Sequence, residues 1–198
     1  MTSSGPARVE LDQPAGPAFL LVLTHGAGGG VDSPDLVAAR DAGLQLGGAV
    51  ARVLQPYLVR GARAPGSPAR QDAAWLELIQ ALRSEFPALP LVPGGRSNGA
   101  RLACRTAAAA GARAVVALAF PLHPPGRPGR SRAAELRQAG VPVLVVNGDR
   151  DPFGVPDRTD ASRVVVLPGE THALSRHPQV TGQAVEAWLR EVLVSPSP

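Results

Sequence analysis

Continuous apolar runs alternate along this chain with stretches whose apolar residues recur every three or four positions. Residues 18–24 form the first run, bounded by Pro17 and Gly26, as expected of a strand buried on both faces. A helix from about residue 33 to 51 follows, opened by Ser33 and Pro34 as N-cap and first-turn residues, and a short strand at 50–54 comes after it. Trp75, Ile79, Leu82 and Phe86 recur at helical spacing, so residues 72–86 predict a helix whose stripe covers a sheet. An apolar run at 89–92 and an alanine-rich helix at 100–110 come next, then a strand at 114–120, a short helix at 132–138 and a strand at 141–146. The last strand is expected at 163–167 and the final helix at 178–194, with Val180, Ala184, Trp188 and Val192 on one face. Strands and helices in alternation, joined by short loops, predict a three-layer α/β sandwich on a mostly parallel sheet.

This order leaves residues 1–17, rich in Pro, Gly and Ser, as a flexible N-terminal segment with a short edge strand at 8–11. Residues 18–194 form a single domain, and the Pro-Ser ending at 195–198 is expected to be a tail. A chain of 198 residues with 44% apolar content can bury one core of this kind. No stretch is long enough to span a bilayer and the N-terminal residues lack the apolar centre of a signal peptide, so a cytoplasmic protein without a membrane partner is expected.

Composition narrows the chemistry. The chain has no lysine, and all 20 basic residues are arginine, which excludes a P-loop lysine, a Schiff-base lysine and a lysine general base. The net charge of +4 is spread along the chain with no aromatic-flanked basic cluster, which argues against nucleic acid as a partner. A single cysteine, Cys104, excludes an intrachain disulfide and a cysteine-based zinc site; it falls inside the 100–110 helix, where a small buried residue fits. No metal or other cofactor is called for, and the oligomeric state is open.

The chemistry centres on Gly94-Gly95-Arg96-Ser97-Asn98-Gly99, between an apolar strand and a helix. A nucleophilic serine must project without steric cover, and a sharp strand-to-helix turn achieves this by forcing it towards positive φ. Such a turn has no room for a β-carbon two residues to either side, and Gly95 and Gly99 stand there. A second glycine-rich loop, Gly26-Ala27-Gly28-Gly29-Gly30, follows the first strand. As a dinucleotide-binding turn it fits poorly, because the sixth place holds Val31 instead of Gly or Ala. As an oxyanion loop it fits well: the backbone N–H of Ala27 would be one donor and that of Asn98, at a helix N-terminus, the other.

Ligands meet parallel sheets at the carboxyl ends of the strands, which selects His25, His123 and His172 and sets His177 aside as a helix cap. Only His172 has a strand-end carboxylate between it and Ser97, in the order Ser, acid, His. His172 is therefore the expected base, while His25, His123 and Arg96 are pocket candidates, His25 as a brace for the glycine loop. Arg96 has a second option in a neighbouring carboxylate. The acid is Asp151 or Asp149, with Glu170 third. Asp151 is preferred because Pro152 biases it to an extended conformation that reaches out of its loop, whereas Asp149 beside Gly148 suits a turn.

These residues resemble the α/β-hydrolase superfamily from residue 18 onwards. More narrowly, the elbow run through Ala100-Arg101, with Phe120-Pro121-Leu122-His123-Pro124-Pro125-Gly126, looks like the small hydrolase-like subfamily that includes testis-expressed proteins and an NSL chromatin-complex subunit, and is similar to dienelactone-hydrolase-like enzymes. The resemblance implies Ser97, Asp151 and His172 as a triad and Ala27 and Asn98 as oxyanion donors; the expectation of a small soluble acyl substrate comes instead from the short connection between residues 120 and 141. Only about twenty residues join the strands where a lid is often inserted, so a minimal fold without a lid domain is expected.

Overall fold

In a computed structural model of the chain, residues 1–194 are described; the tail expected at 195–198 lies outside them. Seven strands, β1 (Arg8–Asp12), β2 (Leu20–Thr24), β3 (Ala49–Leu54), β4 (Leu91–Arg96), β5 (Val115–Leu118), β6 (Val143–Gly148) and β7 (Arg163–Leu167), form one sheet in the order β1-β3-β2-β4-β5-β6-β7. All neighbours are parallel except β1, which runs antiparallel to β3. The segment 1–17, expected to be flexible, thus contributes an edge strand, and Arg52 of β3 holds Glu10 of β1 at 2.8 Å.

Helices cover both faces. Alternate residues of β2 point to opposite sides: Leu21 and Leu23 pack with α1 (Pro34–Gln45) and α6 (Pro178–Val194), and Leu20 and Val22 with α3 (Pro68–Glu85). The small faces of α4 (Asn98–Thr106), with Ala100, Ala103 and Cys104, and Leu136 of α5 (Ala133–Arg137) complete the second layer over β5 and β6. Between β5 and β6 the chain inserts only α5 and loops, so no lid domain is present. No helix among the described residues is long and apolar enough to cross a membrane.

Several boundaries differ from the sequence expectation. Helix α1 stops at Gln45 instead of near 51, because Gly47 turns the chain at φ 76° and Gly48 passes so close to Phe19 that an added Cβ would lie 2.4–2.9 Å from its ring. Residues 49–54 then go to the sheet. Helix α3 starts at Pro68, capped by the Ser67 hydroxyl, and the preceding loop contains a short helix α2 (Pro56–Val59). On α6 the buried face carries Val185, Trp188, Leu189 and Val192, while Val180 is 38% exposed.

The sheet order places the site. From β2 the chain steps outward to β3, crosses back over β2 to β4, and then proceeds in the opposite direction. The carboxyl ends of β2 and β4 therefore flank the point where the winding reverses, where an open α/β sheet leaves a crevice.

Candidate active site

Ser97 follows β4 at that crevice with φ 53° and ψ −114°, a conformation costing a non-glycine residue about 1–3 kcal/mol. Its surroundings hold it there. Its amide donates to Leu118 O at 2.9 Å, and its carbonyl accepts the Arg101 amide at 3.2 Å. The flanking glycines are sterically required: a Cβ on Gly95 would lie 2.5 Å from Thr24 O, and one on Gly99 2.6 Å from the same oxygen. Helix α4 is fixed sideways by paired guanidinium contacts, Arg101 to Glu135 at 2.6 and 2.8 Å and Arg105 to Asp72 at 2.6 Å.

The loop after β7 brings His172 over the serine. Its Nε2 stands 2.9 Å from Ser97 Oγ and its Nδ1 2.8 Å from Asp151 Oδ2. Because a carboxylate only accepts, Nδ1 carries the proton and Nε2 is left to accept from the hydroxyl. The Asp151 side chain has no exposed surface; Oδ1 accepts the Phe153 amide at 2.9 Å, and Oδ2 also accepts from Asn147 Nδ2 at 3.3 Å. Two of the three acid candidates are engaged elsewhere: Asp149 Oδ1 accepts the Gly169 amide at 2.7 Å, and Glu170 Oε1 the His177 amide at 2.6 Å.

The glycine loop after β2 is braced from below. His25 is 0% exposed, so it lines no open pocket; its Nδ1 donates to Gly26 O at 2.7 Å and its Nε2 accepts the Gln55 amide at 3.0 Å. That pattern requires a neutral ring, and burial holds its pKa below the usual 6.5. Tyr57 adds a hydroxyl bond to Ala27 O at 2.8 Å; burial raises its pKa to about 12, so it stays a donor at ordinary pH. Asn98 opens α4, where the first amides have no intrahelical partner, and its side chain donates to Gln71 Oε1 at 2.7 Å.

The other pocket candidates take structural places. Arg96 turns from the opening to fully buried Asp35, Nε to Oδ2 at 2.9 Å, and its second nitrogen donates to the backbone oxygen of His172 at 2.8 Å. It therefore ties the elbow to the histidine loop. His123 rests against the turn at Gly154, with Nδ1 3.0 Å from Pro124 O. Cys104 is inert: fully buried, its thiol is pushed up to about 12. Among the described residues, no group of three or more His, Cys, Asp or Glu side chains is placed to hold a metal ion.

Sequence reasoning missed four contributors. Phe153 packs its ring 4.3 Å from that of His172, and Asn147, fully buried, bonds Asp151 while bridging both backbone groups of Phe120. Asn147 follows the apolar part of β6, so the strand-end filter that selected Asp151 also covers it. Asp35 and Tyr57 carried no such signal, since each looks like an ordinary residue of a helix's first turn.

Such a sheet, with a strained serine at its crossover and a histidine reaching back from the final strand, defines an α/β hydrolase architecture. The chain belongs to the alpha/beta hydrolase domain family, matching it over residues 17–187. Among solved structures it is similar to an alpha-beta serine hydrolase homologue from Coxiella burnetii, at 17% identity and TM-score 0.79 over 96% of this chain and 94% of that one. A Xanthomonas campestris α/β serine hydrolase without lid superposes at TM-score 0.76 with 20% identity, covering 100% of this chain and 95% of the other. The dienelactone hydrolase of Anabaena variabilis gives TM-score 0.76 at 18% identity, over 96% and 94%. At these identities the likeness shows the fold. No curated protein matches the chain in sequence.

Proposed function

We propose that the protein is a serine hydrolase that cleaves an ester, thioester or similar bond of a small soluble acyl compound through an acyl-enzyme at Ser97. The observation that carries this is the unbroken line of side chains from Ser97 Oγ through His172 to Asp151, with contacts of 2.9 and 2.8 Å. In the first half-reaction Ser97 Oγ attacks the carbonyl carbon as His172 Nε2 takes the hydroxyl proton. The negative oxygen is met by the amides of Ala27 and Asn98, one such donor being worth about 3 kcal/mol of barrier. Collapse expels the leaving group, which receives the proton from His172. Water then attacks the acyl-serine with His172 again as base, and the acid and free serine are released. Asp151 keeps the ring in the required tautomer and stabilises its charged form.

The absence of a lid supports small substrates over lipid aggregates, and solved structures of similar shape include a dienelactone hydrolase and a Butyrivibrio proteoclasticus protein, Est1E, with ferulic acid bound. The narrower likeness to the NSL-subunit and testis-expressed hydrolase-like subfamily is supported by the runs at 94–101 and 120–126. A fluorophosphonate probe tests the proposal: wild-type protein becomes labelled and Ser97→Ala does not. A well-folded wild-type protein that neither labels nor hydrolyses short p-nitrophenyl esters would instead be a binding module of the same fold.

A further inference from the structure

A cavity of about 220 Å³ lies between α2, the following loop and α3, behind the glycine loop and apart from the serine. Its apolar floor includes Val53, Trp75 and Leu78, and its rim carries Arg60 and Arg70. Three features separate it from a packing fault. First, Trp75 is 3% exposed, yet its Nε1 is buried with no hydrogen-bond partner among the described residues, a donor left without an acceptor. Second, no Asp or Glu lines the cavity, and neither Arg60 nor Arg70 has a carboxylate partner among the described residues; the Arg60 guanidinium donates to the backbone oxygen of Ser4. Third, two lining residues bond other groups of the residues that carry the proposed oxyanion amides: Tyr57 donates to the carbonyl oxygen of Ala27 at 2.8 Å, and Gln71 accepts from the Asn98 side chain at 2.7 Å.

We propose that this cavity is a second binding site, for a small organic carboxylate with a flat or short apolar body, and that its occupant slows acyl transfer through Tyr57. The volume, below the roughly 300–1,000 Å³ of drug-sized sites, admits one ring with a short chain. The ring lies on the Val53, Trp75 and Leu78 floor while the carboxylate meets the arginines and accepts available donors. A carboxylate oxygen in reach of Tyr57 competes with Ala27 O for the hydroxyl proton, which loosens the loop that carries the Ala27 amide. The acid released by hydrolysis belongs to the same chemical class, so the site provides product feedback. The coupling rests on the hydrolase proposal; the binding does not.

Two measurements separate those parts. Calorimetry on Ser97→Ala protein, titrated with 3-phenylpropionate, is expected to show one saturating site, weakened at least about 10-fold in a variant also carrying Arg60→Gln and Arg70→Gln, and no binding of 3-phenylpropionamide. Both arginines are exposed, and the melting temperature checks that the variant is folded. Equal binding by that variant, equal binding of the amide, or no binding at all overturns the site. In wild-type turnover of a short p-nitrophenyl ester, saturating 3-phenylpropionate is expected to lower kcat about 5-fold or more with KM unchanged, an effect absent in Tyr57→Phe. A rise in KM alone would seat the carboxylate at Ser97 and overturn the proposal, as would inhibition that persists in Tyr57→Phe. Wild-type protein without any esterase activity would sink the hydrolase proposal and its coupling, while the calorimetry still decides the site.

Discussion

Asp151 Oδ2 lies 2.8 Å from His172 Nδ1, while Asp149, two residues earlier in the same turn, spends its carboxylate on the amide of Gly169. The two acids therefore separate by mutation. Asp151→Asn is expected to lower kcat by about 10⁴-fold, because an amide that donates towards the ring favours the wrong tautomer. Asp149→Asn should stay within a few-fold of wild type. Steady-state kinetics on a short p-nitrophenyl ester compares them, and a large loss in Asp149→Asn alone would reverse the assignment.

Arg96 joins a buried carboxylate to the histidine loop. Arg96→Gln leaves Asp35 fully buried without its cation, at an expected cost of about 3–5 kcal/mol in denaturant unfolding. Arg96→Lys keeps the charge but loses the planar fork that reaches Asp35 and His172 O together. Its expected mark is kcat lowered about 10- to 100-fold with little change in KM, since displacement of the imidazole affects chemistry more than binding.

The glycines of the elbow answer to one carbonyl. Gly95→Ala and Gly99→Ala each put a methyl group within 2.6 Å of Thr24 O, so each should cost at least about 1–3 kcal/mol by thermal melting. The double variant should lose less than the sum, because both press on the same atom. Gly28→Ala is the control, with nothing within 4 Å of the added carbon.

His25 supplies a pH dependence. Burial lowers its pKa in the native state below the 6.5 it has when unfolded, so at pH below 6.5 the unfolded chain binds a proton that the native ring refuses. Stability from this residue is unaffected above 6.5 and falls as the pH drops below it, with a slope of up to about 1.4 kcal/mol per pH unit until the native ring itself is protonated. Chemical denaturation between pH 5 and pH 8 should show this slope in wild type and lack it in His25→Gln.

Substrate length tests the open site. With only α5 and loops between β5 and β6, that connection forms no lid over the site, so acetate and butyrate p-nitrophenyl esters should be turned over with the highest kcat/KM. Efficient hydrolysis of esters of twelve or more carbons would contradict this.

Local patterns were legible in the amino-acid order wherever a residue's neighbours in sequence decide its state. The valine run of β7 and the extent of α6 lie where the sequence pattern puts them, at Arg163–Leu167 and Pro178–Val194. The elbow was equally readable, because a serine at positive φ needs small residues at fixed offsets, and Gly95 and Gly99 occupy those offsets. The end of α1 was not, since Gly48 is required there by the ring of Phe19, nearly thirty residues earlier.

By itself, then, the sequence determined an α/β alternation, a strained serine turn and a short set of strand-end acids and histidines. The tertiary structure alone decided which acid meets the imidazole, that Arg96 serves Asp35 and the His172 backbone, and that Asn147, Phe153 and Tyr57 support the site. Those choices rest on contacts between residues tens of positions apart, whose geometry follows from the order and twist of the strands. A loop residue's own neighbours say only that it can leave the strand; the sheet says where it arrives.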